Sequence, residues 1–270
     1  MKKQRSGTRS AGLALGQIIV VIGTALSMGV SLMPYAHAQS DNARNILKAM
    51  SDYVSAQKTI SATFDSDIEV ITPELQKIQF TSSGQIQLSR PDKLRATRTG
   101  GYSDIELVYD GKTLTLNHKD VNSFAQIDTA GSIDQVVDLL REKHAVTAPG
   151  LDLLLSRVFD VMTADVIDAK HIGLGVIDGV ECEHLAFRNV ETDWQIWIEV
   201  GTHIPRKYVI TSKSVAGAPQ YTLRIKEWRT DVPADVFAFK PTQGAKKVSL
   251  ETLADIDEVP HGTVTTGEKK

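Results

Sequence analysis

One cysteine, Cys182, serves all 270 residues, so no disulfide can form within the chain and stability has to come from a packed core. Aromatic residues are only 6% of the composition, which leaves that core mainly to aliphatic side chains. Familiar marks of catalysis are missing too. There is no Gly-x-Ser-x-Gly elbow and no His-Glu-x-x-His helix. "DGKT" (Asp110–Thr113) ends like a phosphate loop, but Glu106 stands where the loop needs its first glycine, so the segment reads as a hairpin turn. Carboxylates are abundant, yet no spacing singles out a pair. The body of the chain also lacks a Lys/Arg cluster, which makes it a poor binder of nucleic acid or anionic membrane.

What is present begins with a leader. Lys2, Lys3, Arg5 and Arg9 precede a mostly apolar run from Ala11 to Met33, and "AHA" (Ala36–Ala38) offers small residues at the −3 and −1 positions of a signal-peptidase site. The expectation is a signal peptide over residues 1–38, cleaved after Ala38 and releasing the protein to the periplasm without a stable membrane anchor. The competing reading is a retained anchor, because the run is longer than the usual signal core of about 7–15 residues. Glycines and serines dilute it. Cleavage removes four of the 30 basic and none of the 33 acidic residues, leaving 26 against 33, a net charge of −7.

The mature chain reads as a single domain over residues 39–254, followed by a flexible tail over 255–270. From Asp41 to about Lys58, Ile46, Leu47, Met50, Tyr53 and Val54 form one helical stripe, with Asp41 as a possible cap. The period then drops to two. Ile60, Ala62, Phe64, Ile68 and Val70 alternate with polar residues, as do Ile78, Phe80, Ile86 and Leu88. Runs this long, with one wet face, indicate a curved antiparallel sheet. Shorter strands follow near Lys93–Thr99, Ile105–Asp110, Lys112–Asn117 and Ser123–Ile127, with a tight turn at Asp110-Gly111. "SIDQVVDLLREK" opens with a capping box, Ser132 and Gln135, and buries Ile133, Val136, Val137 and Leu140. "PGLDLLLSRVF" (Pro149–Phe159) is expected as a second, shorter helix, apolar nearly all round. Strands resume at about Lys170–Ile177, Val180–Asn189, Trp194–Val200, Pro205–Ser212 and Gln220–Arg229, with a turn at Asp178-Gly179, and "DVFAFKP" closes the domain. The fold class is therefore mostly β (α+β): an unclosed antiparallel barrel of about eleven strands, its concave face covered by helices.

Three functional classes remain. "ECEHL" sets Cys182 and His184 on one strand face, but a zinc site needs three or four ligands and none of the others is patterned. The core reading of both residues is preferred, and no metal, cofactor or catalytic residue is expected. "DWQIWIEV" (Asp193–Val200) places Trp194, Ile196, Ile198 and Val200 on one side and Trp197 on the side that ought to be wet. Val108, Leu185, Phe187 and Trp228 likewise count as apolar residues on wet faces. Such residues either sit under long polar neighbours or line a cavity for an apolar ligand, and an exposed Trp197 could instead dock another envelope protein.

The stretches "SSGQIQLSRPDKLRATR" and "LVYDGKTLTL", with "DLLL" after a proline, resemble the periplasmic lipoprotein-carrier superfamily of LolA- and LolB-like proteins. The second half, "GVECEHLAFRNVETDWQIWIEVGTHIPRKYVITSK", is similar to a bacterial family of predicted periplasmic proteins of unknown function grouped with those carriers. The resemblance runs from about Ile46 to Pro241. It implies an unclosed barrel whose helices plug the concave side over an apolar cavity, which in the carriers takes lipoprotein acyl chains. On that reading Phe64, Phe80, Ile86 and Leu107 line the cavity from the first half of the sheet, and Trp194, Ile196 and Ile198 from the second. Leu140, Leu151, Leu154, Leu155 and Phe159 belong to its lid, and Arg95 and Arg98 are candidates for a carrier's lid arginine. The expected ligand is a lipid or a lipoprotein acyl chain. A dozen buried methylenes at about 0.8 kcal/mol each would supply on the order of 10 kcal/mol before the entropic costs of association.

Overall fold

The computed structural model describes residues 33–144, 150–253 and 259–260. Most of the expected leader and tail therefore lies outside the described residues. A helix, α1 (Met33–Ala56), precedes β1 (Thr59–Ile71), β2 (Lys77–Ser89), β3 (Lys93–Gly100), β4 (Asp104–Tyr109), β5 (Thr113–His118) and β6 (Ser123–Asp128). Two helices, α2 (Ile133–His144) and α3 (Val158–Thr163), interrupt the strands. Then come β7 (Asp168–Ile177), β8 (Val180–Arg188), β9 (Thr192–Glu199), β10 (Pro205–Ser212), β11 (Gln220–Arg229) and the two-residue β12 (Lys246–Lys247). All pair into one sheet of order β12-β6-β5-β4-β3-β2-β1-β11-β10-β9-β8-β7. Every neighbouring pair is antiparallel except β12 on β6. With β7 and β12 at opposite ends the sheet is unclosed.

The period-two pattern sets its two faces. Ile60, Ala62, Ile86, Leu88, Leu94, Tyr109, Leu114, Leu185, Phe187, Trp194, Ile196 and Leu223 point to the concave side and join one buried cluster with α1, α2 and α3. Ala43, Leu47, Met50 and Val54 of α1 are fully buried there, as the stripe predicts. Asp41 is no cap, however, since α1 starts eight residues earlier at Met33. The Ser132/Gln135 capping box forms in both directions: Gln135 N–H donates to Ser132 Oγ at 3.3 Å, and Ser132 N–H donates to Gln135 Oε1 at 2.8 Å.

Three expectations need correction. "PGLDLLLSRVF" is not one helix. Leu151–Leu154 makes a 3-10 turn, Leu155 is extended (ψ 161°), and α3 starts only at Val158. A regular helix would leave one of the consecutive leucines Leu153, Leu154 and Leu155 outward, whereas the bent path buries all three. Leu185, Phe187 and Trp228 do not lie on a wet face. Phe187 stacks on Trp194 (ring centroids 3.9 Å apart), and a register shift between Ala62 and Phe64 turns Trp228 inward to Tyr53 of α1, whose Oη accepts from its indole N–H at 3.2 Å. Val200 falls past the end of β9 and is exposed.

The chain beyond β11 supplies cover that no period announces. Residues Ala234–Phe237 lie on the outer face of β3, where the Val236 carbonyl accepts from Arg95 Nη1 at 2.7 Å and Phe239 meets Phe124 at 5.1 Å. This is why Val108, on that outer face, is buried. β12 then pairs along the β6 edge, and Val248, Leu250 and Leu253 pack with Ile105, Leu116 and Ala125 on the concave side. The C-terminal segment wraps the sheet edge from one face to the other.

Candidate functional site

The concave face is where the sequence places a site. Ile86, Leu140, Leu154, Leu155, Trp194, Ile196 and Ile198 are buried in its central cluster, and Phe64, Leu107, Leu151 and Phe159 pack at its margin. Leu107 also touches the smaller cluster around Leu253. Phe80 stands apart, half-buried on β2 opposite Ile68 and outside the cluster. The structure thus brings eleven of the twelve expected residues together. They meet one another rather than empty space: Leu47, Met50, Leu88, Leu153, Leu185 and Ile196 fill the ground between sheet and helices.

The cover is tied to the sheet by a few polar anchors. Arg90, after β2, donates through Nη2 to Leu154 O (2.8 Å) and through Nε to Gln57 O (3.1 Å), joining the 3-10 turn to the end of α1. Burial pushes its pKa down. Phe159 N–H donates to Ser51 Oγ at 3.0 Å, linking α3 to α1. In the first turn of α2, Asp134 accepts from the backbone N–H of Ser156 (3.1 Å) and from its hydroxyl, and Arg141 reaches Asp152 at 2.7 Å. Between these anchors the contact is apolar. Tyr208 lies beneath with its pKa raised by burial.

Toward the far ends of β1, β2 and β3 the concave face turns polar. Phe64 reaches Gly84, where a Cβ would fall 2.4 Å from its ring, so glycine is required. Next to it Ser66 and Ser82 face each other, both buried, and the Ser66 hydroxyl has no hydrogen-bond partner. Arg98 donates to Ser103 Oγ at 3.1 Å on this side. Arg95 is excluded as a residue of the concave face. It pairs with Glu106 on the outer face, where Asn117 completes the carboxylate's partners at 3.1 Å.

The outer face holds the remaining candidates. Cys182 is fully buried, donates to Val180 O at 3.4 Å, and has its thiol pKa pushed up by burial, which keeps the thiol protonated. Trp197 lies under polar neighbours, the first of the alternatives the sequence leaves open, and not under a helix. Its cross-strand partners cover it: His184 stacks at 4.1 Å and Lys207 lies 4.8 Å from the ring centroid. His171, the histidine nearest in sequence, is engaged elsewhere, with Glu183 at 2.6 Å and Asn42 at 2.8 Å. Among the described residues no three metal-binding side chains converge. An open, polar depression of about 590 Å³ lies beside the ends of β1, β2, β3 and β11, bordered by Asp65, Ser66, Ser82, Thr99, Arg224 and Lys226. Among the described residues no helix is long and apolar enough to cross a membrane.

Several known proteins are similar to this chain. An uncharacterised protein of Methanocaldococcus jannaschii is 22% identical over 227 residues, which cover 82% of this chain and 59% of that protein; the chain thus spans about three fifths of its curated relative. Among solved structures, the Mycobacterium tuberculosis lipoprotein LppX is 14% identical with a TM-score of 0.45, over 72% of this chain and 99% of that one. A LolA superfamily protein from Nitrosomonas europaea is 12% identical with a TM-score of 0.31, over 73% and 97%. The family model described as "Predicted periplasmic protein (DUF2092)" matches residues 43–251, and the chain belongs to that family.

Proposed function

We propose that this protein is a non-enzymatic carrier or sensor of an amphiphile in the periplasm, taking a lipid or lipoprotein acyl chain between the concave face and its helical cover. The observation that carries the reading is the construction of that cover. It consists of α1 and a bent, discontinuous segment from the 3-10 turn to α3, laid over an apolar sheet and fastened by separate polar anchors. Lifting the bent segment breaks few hydrogen bonds and opens the buried cluster to which Leu153–Leu155 and Trp194 belong, so that an acyl chain would cover its apolar surface in place of those leucines. The chain takes the room those leucines leave, and its burial offsets theirs, at about 0.8 kcal/mol per methylene. The unpartnered Ser66 hydroxyl offers a hydrogen bond to the polar end of such a guest.

Trp194 and Trp197 point to opposite faces of β9, which makes a direct test possible. Two variants each retain one of them, Trp197→Phe/Trp228→Phe and Trp194→Phe/Trp228→Phe. Titration with a bromine-substituted fatty acid is expected to quench Trp194 and leave Trp197 bright. Equal quenching of both, or of neither, together with no co-purifying lipid in native mass spectra of protein taken from the periplasm, would refute the reading.

A further inference from the structure

Antiparallel pairing fixes which turns share an end of the sheet. The connections β1–β2 (72–76), β3–β4 (101–103), β5–β6 (119–122), β8–β9 (189–191) and β10–β11 (213–219), with the entry to β7, all fall on one rim. Among the described residues nine large apolar side chains are exposed, and five of them sit on five different connections of this rim. They are Leu75 (73%), Tyr102 (39%), Val121 (51%), Val190 (78%) and Ile167 (63%). The turns of the opposite rim read Arg90-Pro91-Asp92, Asp110-Gly111-Lys112 and Asp178-Gly179, with Val200 as the exposed apolar residue there. Turn chemistry does not explain the contrast. Leu75 has φ 65°, a left-handed conformation that suits glycine or asparagine better than leucine. Thr72 closes that turn twice: its carbonyl accepts from Leu75 N–H and its own N–H donates to Gln76 O, each at 2.9 Å. The leucine is thus held out into solvent by an ordered turn.

Spacing and charge identify what meets such a rim. Neighbouring hairpin turns such as those of Leu75 and Tyr102 stand two strands apart, roughly 10 Å. A protein partner buries one continuous patch, which isolated tips do not form. The headgroup layer of a bilayer yields around each tip separately, and a tyrosine among them suits the boundary between headgroups and acyl chains. Acidic residues adjoin three tips, Glu74 beside Leu75, Asp120 beside Val121 and Glu191 beside Val190, so attraction to anionic headgroups does not drive the contact. We propose that this rim docks reversibly on a lipid bilayer surface, its apolar tips dipping among the headgroups. The docking goes beyond the guest reading. It fixes which end of the protein meets the membrane, and it holds whether or not the concave cluster opens.

The test places an environment-sensitive fluorophore on single cysteines of the exported protein in a Cys182→Ser background, with circular dichroism confirming each fold. Leu75→Cys and Val190→Cys report the tip rim, and Lys112→Cys and Thr202→Cys the opposite one. On adding phosphatidylethanolamine–phosphatidylglycerol vesicles, the labels at the tips are expected to shift to the blue and those opposite to stay unchanged. Flotation of the unlabelled wild type with the same vesicles is expected to be equal at low and high salt. Leu75→Asp and Val190→Asp, both at exposed sites, are each expected to weaken it about tenfold. No flotation, an equal shift at both rims, or binding lost at high salt would each overturn the proposal. A blue shift produced by raised protein concentration without vesicles would overturn it too, and would assign the rim to contact between copies.

Discussion

At the scale of single residues, Trp197 is the informative case. A tryptophan on a nominally wet strand face suggested a docking surface, yet its cross-strand neighbours account for it. His184 stacks on it and donates through Nε2 to Gln195 Oε1 (2.9 Å), while Lys207 covers the ring from β10. Gly175 makes room on the edge side, since a Cβ there would lie 3.1 Å from the indole nitrogen. Desolvation lowers the pKa of His184 below its ordinary 6.5, with Lys207 adding to the shift. The folded state therefore binds fewer protons at this site than the unfolded chain. His184 contributes full stability above about pH 6.5 and loses it as pH falls through the folded-state value. His184→Gln keeps a partner for Gln195 and cannot titrate. Urea midpoints measured at pH 7.5 and pH 5 should fall further for the wild type than for this variant; an equal fall in both would show that the imidazole is not desolvated.

At the scale of elements, strands and the first two helices were legible and the segment between α2 and β7 was not. Strict alternation marks β1 and β2, and the capping box marks the start of α2. Ser132→Ala removes the hydroxyl that accepts from Gln135 N–H and should cost about 1 kcal/mol in thermal or urea unfolding. The apolar run around Leu153 carries no period, so sequence could show only that it is buried. What bends it is tertiary: Asp134 holds Ser156, and Arg90 holds the carbonyl of Leu154. Arg90→Ala leaves buried carbonyls at the end of α1 and in the 3-10 turn without a donor, and should destabilise by about 1–3 kcal/mol. Hydrogen exchange ought to report that loss as faster opening at Leu153–Leu155 than in β9. Uniform acceleration would mean that Arg90 does not anchor the cover specifically.

For the whole molecule, the sequence showed the curved sheet and its concave cluster, because β9 and the β1–β2 hairpin alternate cleanly. It misassigned β8, whose two faces are both apolar: Leu185 and Phe187 inside, Cys182 buried outside. It set "DVFAFKP" at the close of the domain but missed the wrap of the C-terminal strap, whose Phe237, Phe239, Val248, Leu250 and Leu253 follow no helical or strand period and close both faces only because the chain turns around β6. That turn has its own anchor at Asn122, which accepts from the Thr242 hydroxyl (2.6 Å) and, through its carbonyl, from Lys246 N–H (3.0 Å). The strap's two seats therefore lie on opposite sides of the sheet with a fixed point between them. Phe237→Ala should cost about 3–5 kcal/mol and Leu253→Ala about 2–5 kcal/mol, as for other buried side chains. Sites that share no neighbour add to within about 0.5 kcal/mol. The double variant is thus expected to lose the sum of the two in denaturant unfolding. A loss well short of that sum would mean the strap peels as one piece, and that Asn122 does not hold its middle.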